Sequence, residues 1–183
     1  VFVLVFSAIS GFFVFVSGMR GGLAMGAAEF TAVIGLIGVA VMLFSSALSR
    51  EMIPGTRHLI TPARMFLLVL VSLFLVVAML FPWDVTGSVL PNLWQCFGMG
   101  LMFSFPAAGL ILWLLRRGAI LSSDIAGAGA GLLSGLVGMT VLHVGCSLHT
   151  APHIVLAHLG LALATTLAGF LLGRYVPRLW SRG

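Results

Sequence analysis

The stretch ILSSDIAGAGAGLLSGLVGMTVLHVG, residues 120–145, decides how the chain folds. It is apolar over most of its length, and its single acid, Asp124, lies near its start. It exceeds the ~20 residues that cross a bilayer core. Hydrocarbon cannot satisfy unpaired backbone groups, so such a segment is a helix. Ser122 and Ser123 beside Asp124 have the chemistry of a helix N-cap. Gly127, Gly131, Gly135 and Gly138 recur at spacings of four, four and three, which places them on one stripe. Without side chains they let a neighbouring helix come close. That neighbour is expected within the chain, with a homodimer seam as the alternative.

Outward from this stretch, residues 1–18, 30–48, 64–81, 93–115 and 152–173 are apolar runs of similar kind. Breakers separate them: Gly21-Gly22, Pro54-Gly55, Pro62, Pro82, Gly87, Pro91 and Pro152. Pro152 suits the first turn of the last helix, where its missing N–H costs nothing. Pro106 falls inside the fourth helix and is expected to kink it. The expected fold is therefore all-α: a polytopic membrane protein of six transmembrane helices, forming a single domain over residues 1–183. Composition agrees. Of 183 residues 61% are hydrophobic and 7% charged, where a soluble domain carries roughly 25% charged residues.

The charges sort by side. Arg50, Arg57, Arg64, Arg116, Arg117, Arg174, Arg178 and Arg182 fall in the second loop, the fourth loop and the C-terminal tail, against Arg20 alone on the other side. Arginine concentrates on cytoplasmic loops, so both termini are expected in the cytoplasm. Trp83 and Trp94 then mark the outer interface; Trp113, Tyr175 and Trp180 mark the inner one. The net charge of +5 is spread over loops and does not form the dense patch of a nucleic-acid binder. No relay of ionisable groups of the kind used by ion-coupled carriers is visible in the spans. The Ser7/Ser10 and Thr165/Thr166 hydroxyls are expected to bond within their helices. Arg20 and Glu29 are expected to pair across the first outer loop, for little net stability.

Both cysteines and four of the five histidines collect at the outer helix ends: Cys96, Cys146, His149, His153 and His158, with His143 slightly deeper. Antiparallel packing of the fourth and fifth helices brings Cys96 and Cys146 together. Three readings stay open. The thiols form a disulfide in an oxidising compartment. Thiolates and imidazoles bind Zn²⁺ or Cu⁺. Or the cysteines are small buried hydrophobes and the histidines interface residues. His153 and His158 stand about 140° apart on an ideal helix, so both reach one ion only if the helix starts late or the ion sits between helices. His143 and Cys146, at i and i+3, share a face, and an imidazole as deep as His143 needs a partner. The residues assign no certain cofactor. No acidic orienting residue or oxyanion loop accompanies the thiols, so catalysis is not favoured.

Trp94-Gln95-Cys96, the Leu114-Leu115-Arg116-Arg117-Gly118-Ala119 loop, the glycine-rich fifth helix and Cys146-x6-His153-x4-His158 together resemble the NrsF-type anti-sigma factors. The resemblance is clearest over residues 94–180. It implies a bacterial inner-membrane protein of six helices that negatively regulates an extracytoplasmic-function sigma factor. It further implies that Cys96 and Cys146 sense stress, including metals and oxidants. In that family an N-terminal cytoplasmic segment holds the sigma factor; here the chain starts in the first helix, so a longer native protein is expected. The loops bearing Arg50, Arg57, Arg64, Arg116 and Arg117 are the partner-facing surfaces that remain. A membrane thiol-redox or metal-dependent enzyme, or a small metal permease, is the alternative use of the same cluster.

Overall fold

The computed structural model describes residues 2–17, 26–51, 61–84, 89–117 and 122–176. Every regular element among them is helical: α1 Phe2–Ser17, α2 Ala27–Glu51, α3 Pro62–Leu80, α4 Val89–Leu115, α5 Ser123–Gly145 and α6 Ala151–Tyr175. Four of these, α2, α4, α5 and α6, are long and apolar enough to cross a membrane; α1 and α3 are shorter apolar helices. The outer surface of the bundle is itself apolar. Phe15 is 87% exposed and Met79 81%, with Leu4, Met102, Phe105 and Leu167 similarly turned outward. Water-soluble monomers rarely expose apolar patches on this scale, which suits the apolar helices of a membrane protein.

The central element is α5, buried along nearly its whole length from Ala126 to Val144. Its glycines explain why. A Cβ on Gly127 would meet the carbonyl oxygen of Gly169, and one on Gly131 that of Thr165. A Cβ on Gly135 would meet the Thr165 hydroxyl and lie 2.9 Å from the Cα of Ala162. The approach is reciprocal: Gly169 and Gly173 of α6 would collide with the Gly127 and Ser123 carbonyls. Gly127, Gly131 and Gly135 thus lie along α6 at backbone contact. Gly138, on the same stripe, meets Gly100 and Ser104 of α4 as well as Leu161 of α6. The glycine face is filled within the chain by α6 and α4.

Several local expectations are refined. Ser122 occupies the N-cap position of α5 but makes no side-chain cap bond to the helix. Its hydroxyl instead donates to Asp124 Oδ1 at 2.7 Å, and that oxygen also accepts the Ile125 N–H at 2.9 Å. Glu29 acts at the start of its own helix, where Oε2 accepts the Gly26 N–H at 2.9 Å; Arg20 lies outside the described residues. Thr165 and Thr166 do bond back to the Leu161 and Ala162 carbonyls. Ser10 does not follow them, since its buried hydroxyl has no partner. Pro106 is accommodated inside a continuous α4, and Pro152 sits in the first turn of α6 as expected.

The described helices alternate in direction and create two chemically different ends. The end of α3 meets the start of α6 through Ala151 N–H to Pro82 C=O, 2.9 Å. Cys96, Cys146, His149, His153 and His158 belong to this end. At the other end are Arg50, Arg64, Arg116, Arg117 and Arg174, with the Arg117 guanidinium 3.7 Å over the Trp113 ring. Arg57, Arg178 and Arg182 fall outside the described residues.

If the α5–α6 approach holds the bundle, Gly131→Ala overpacks it and destabilises by about 1–3 kcal/mol. Gly35→Ala, where a Cβ meets nothing within 4 Å, is neutral or slightly stabilising. Unfolding midpoints in one detergent compare the two; equal midpoints would contradict this packing account.

Candidate thiol–imidazole site

Cys96 sits in the first turns of α4, Cys146 caps α5, and the five-residue connection 146–150 leads directly into α6. This puts Cys96 Sγ 3.6 Å from Cys146 Sγ, and Cys146 Sγ 3.5 Å from His153 Nε2. The ligating atoms of Cys96, Cys146 and His153 all lie within 4.8 Å of one another. Both cysteines are free and half-buried. An S–S bond is ~2.05 Å long, so the two sulfurs are in near contact without a bond between them.

Behind the thiols stands a row of imidazoles. The His153 and His158 ring centres are 5.6 Å apart, His158 and His143 5.9 Å, and His143 and His149 6.5 Å; each pair meets edge to face. Phe81 closes the row against His143 at 5.9 Å. His143, His153 and His158 are fully buried. The ring nitrogens without a hydrogen-bond partner are both of His143, both of His158, Nδ1 of His153 and Nε2 of His149. Buried polar atoms are nearly always paired, so a cluster of six such nitrogens calls for a cause.

Cys146 lies beyond the end of α5. Its thiol is held well below the ordinary range, chiefly because Cys96 donates its S–H to it, with His153 and His158 adding to the effect against burial. His158 exerts this influence from beside Cys146 without a hydrogen bond of ordinary length. Burial pushes the His149 imidazole down, toward its neutral form. A cavity of about 330 Å³ opens onto the two thiols, lined by Asn92, Gln95 and Met99 of α4 and by Leu148. Small oxidants or ions therefore reach the sulfurs first and the imidazoles behind them second.

The sequence brought Cys96, Cys146 and His153 to one place, and the structure agrees. It also named His158, although residues five apart point away from each other on an α-helix. The first turns of α6 are not α throughout. Ile154–Leu159 is a π-helical turn, with the Gly160 N–H bonding the Val155 carbonyl. That wider winding carries His158 back toward His153. His149 reaches His143 and not the thiols. His143, flagged by its i, i+3 relation to Cys146, is central to the row.

This assembly is a helical, apolar protein with its soft donors gathered at one end and its described arginines at the other. The chain belongs to the NrsF family, negative regulator of sigma F, whose model matches residues 1–179. It is thus a negative regulator of a sigma factor. Searches among curated proteins and among solved structures return no match.

The near contact of the sulfurs gives a direct expectation. Mild oxidation with diamide joins Cys96 to Cys146 within one chain, removing both from maleimide labelling and lowering the intact mass by two hydrogens. Two labelled thiols after oxidation would contradict the geometry.

Proposed function

We propose that this chain is a multi-pass sensor of the bacterial inner membrane. Its six helices cross the bilayer, with both termini and the arginine-bearing end in the cytoplasm. The cluster end faces outward. There Cys96 and Cys146 register oxidative or metal stress, and an extracytoplasmic-function sigma factor held on the cytoplasmic side is set free. The observation that carries this reading is the 3.6 Å approach of Cys96 to Cys146 across two helices, at the end opposite Arg50, Arg64, Arg116 and Arg117.

The packing suggests which part moves. The α5–α6 pair is joined backbone to backbone at glycines, and Cys146 and His153 both ride on that unit. Cys96 rides on α4, whose far end carries Arg116 and Arg117. Any bond or ion formed among these atoms changes the restraint between α4 and the α5–α6 unit. A coupling of about 1–3 kcal/mol shifts partner affinity roughly 5–150-fold, enough for release. The family's role as a regulator favours this over a thiol-redox enzyme or a metal permease.

A sigma-dependent reporter in cells measures the response. Cys96→Ser and Cys146→Ser, each present at the wild-type protein level, lose induction by diamide and by added zinc or copper. Induction as strong as wild type in either variant would defeat the sensing role.

A further inference from the structure

We propose that the cluster is a binding site for one divalent cation of the zinc class, held tetrahedrally by Cys96, Cys146, His153 and His158. This rests on the sensing reading for where the site faces, and adds the ligand, its charge and its coordination.

The distances point to such an ion. Metal–sulfur bonds of ~2.3 Å and metal–nitrogen bonds of ~2.0–2.1 Å in a tetrahedron place two sulfurs about 3.8 Å apart, and a sulfur and a nitrogen about 3.5 Å apart. The corresponding separations here are 3.6 Å for Cys96–Cys146 and 3.5 Å for Cys146–His153. Two imidazoles on one such ion have ring centres about 5 Å apart. His153 and His158, at 5.6 Å, come nearest to this; the pairs made by His143 are wider, at 5.9 and 6.5 Å. The π-helical turn Ile154–Leu159 supplies His158 as the fourth donor, and irregular turns of this kind recur at functional sites.

A second observation is independent of these distances. His158 is fully buried with neither ring nitrogen bonded, a costly arrangement for an imidazole with no ligand to hold. Coordination uses one of these nitrogens. His143, packed edge to face on His158, is then a positioning residue that fixes the orientation of the ligating ring.

Charge selects the ion. The imidazoles are fully buried and the thiols half-buried, so a net charge there is costly. The arginines of the described residues lie at the opposite end and cannot offset one. Two thiolates with a divalent cation sum to zero, whereas two thiolates with a monovalent cation leave one negative charge. Both sulfurs coordinate as thiolates, so each proton still held by the pair leaves as H⁺ on loading, through the cavity beside Cys96 and Cys146.

The test uses the full chain, reduced, in lipid nanodiscs, with Co²⁺ as the optical probe. The expected result is one Co²⁺ per chain, with sulfur-to-cobalt charge-transfer absorption and the strong visible bands of tetrahedral cobalt. Zn²⁺ bleaches them, and proton release accompanies loading. Cys96→Ser and Cys146→Ser lose the charge-transfer band or reduce it to that of one thiolate. His158→Ala and the similarly sized His158→Gln weaken binding by more than the ~10–100-fold that loss of an outer partner costs; His143→Ala falls within that range. Weak octahedral-type bands, wild-type affinity in both His158 variants, or uptake of Cu⁺ but not Co²⁺ or Zn²⁺ would overturn the proposal. A chain that binds no ion yet responds to diamide through its cysteines sinks this inference and leaves the sensing reading. A chain that binds the ion while its cysteine variants still respond does the reverse.

Discussion

The close approach of α5 to α6 is the constraint on which the remaining structure depends. Glycines on both helices remove the side chains that would hold the backbones apart, and carbonyls of each helix lie where the other's Cβ atoms would be. Association of helices in lipid gains little from burying apolar surface, because the surroundings are equally apolar; it comes from close packing of this kind. With the seam fixed, the connection 146–150 has little freedom. Cys146 and His153 are consequently presented together at one end, and α4 meets the pair through Gly100, Ser104 and Gly138.

The seam also separates two kinds of chemistry by the length of the bundle. Thiols and imidazoles occupy one end, guanidinium groups the other, and the surface between them is apolar. A chemical event at the sulfurs cannot reach the arginines through charge over that distance, because no chain of ionisable side chains joins the ends among the described residues. On the proposed sensing role, it reaches them through helix position. Cys96 is the one cluster residue on α4, so the α4 contact is where a new bond or ion alters the restraint.

Much of the fold was legible in the sequence, since hydrophobic length and glycine spacing are direct consequences of bilayer thickness and helix geometry. The helix centres fell where the apolar runs predicted. Their ends moved by a few residues, as with α2, which extends over Ala27–Glu51, because polar residues at the interface continue a helix at no cost. The thiol pair and His153 were also legible, from antiparallel neighbours with a short connection. What could not be read was the winding of α6. Spacing alone assumes α geometry, and a π-helical turn changes which residues share a face. The burial of His143 against Phe81 depends on where α3 ends, which no local pattern in α5 specifies.

The central claim is that the thiols face the outside of the cell while the arginine-bearing end faces inward. Labelling intact cells with a membrane-impermeant maleimide tests it most directly. The chain with its native Cys96 and Cys146 is compared with a double-serine chain carrying one new cysteine at Arg117. The account predicts modification of the native pair from outside, with the cysteine at position 117 labelled only after the membrane is opened. Labelling of position 117 in intact cells, with Cys96 and Cys146 protected until lysis, would contradict it.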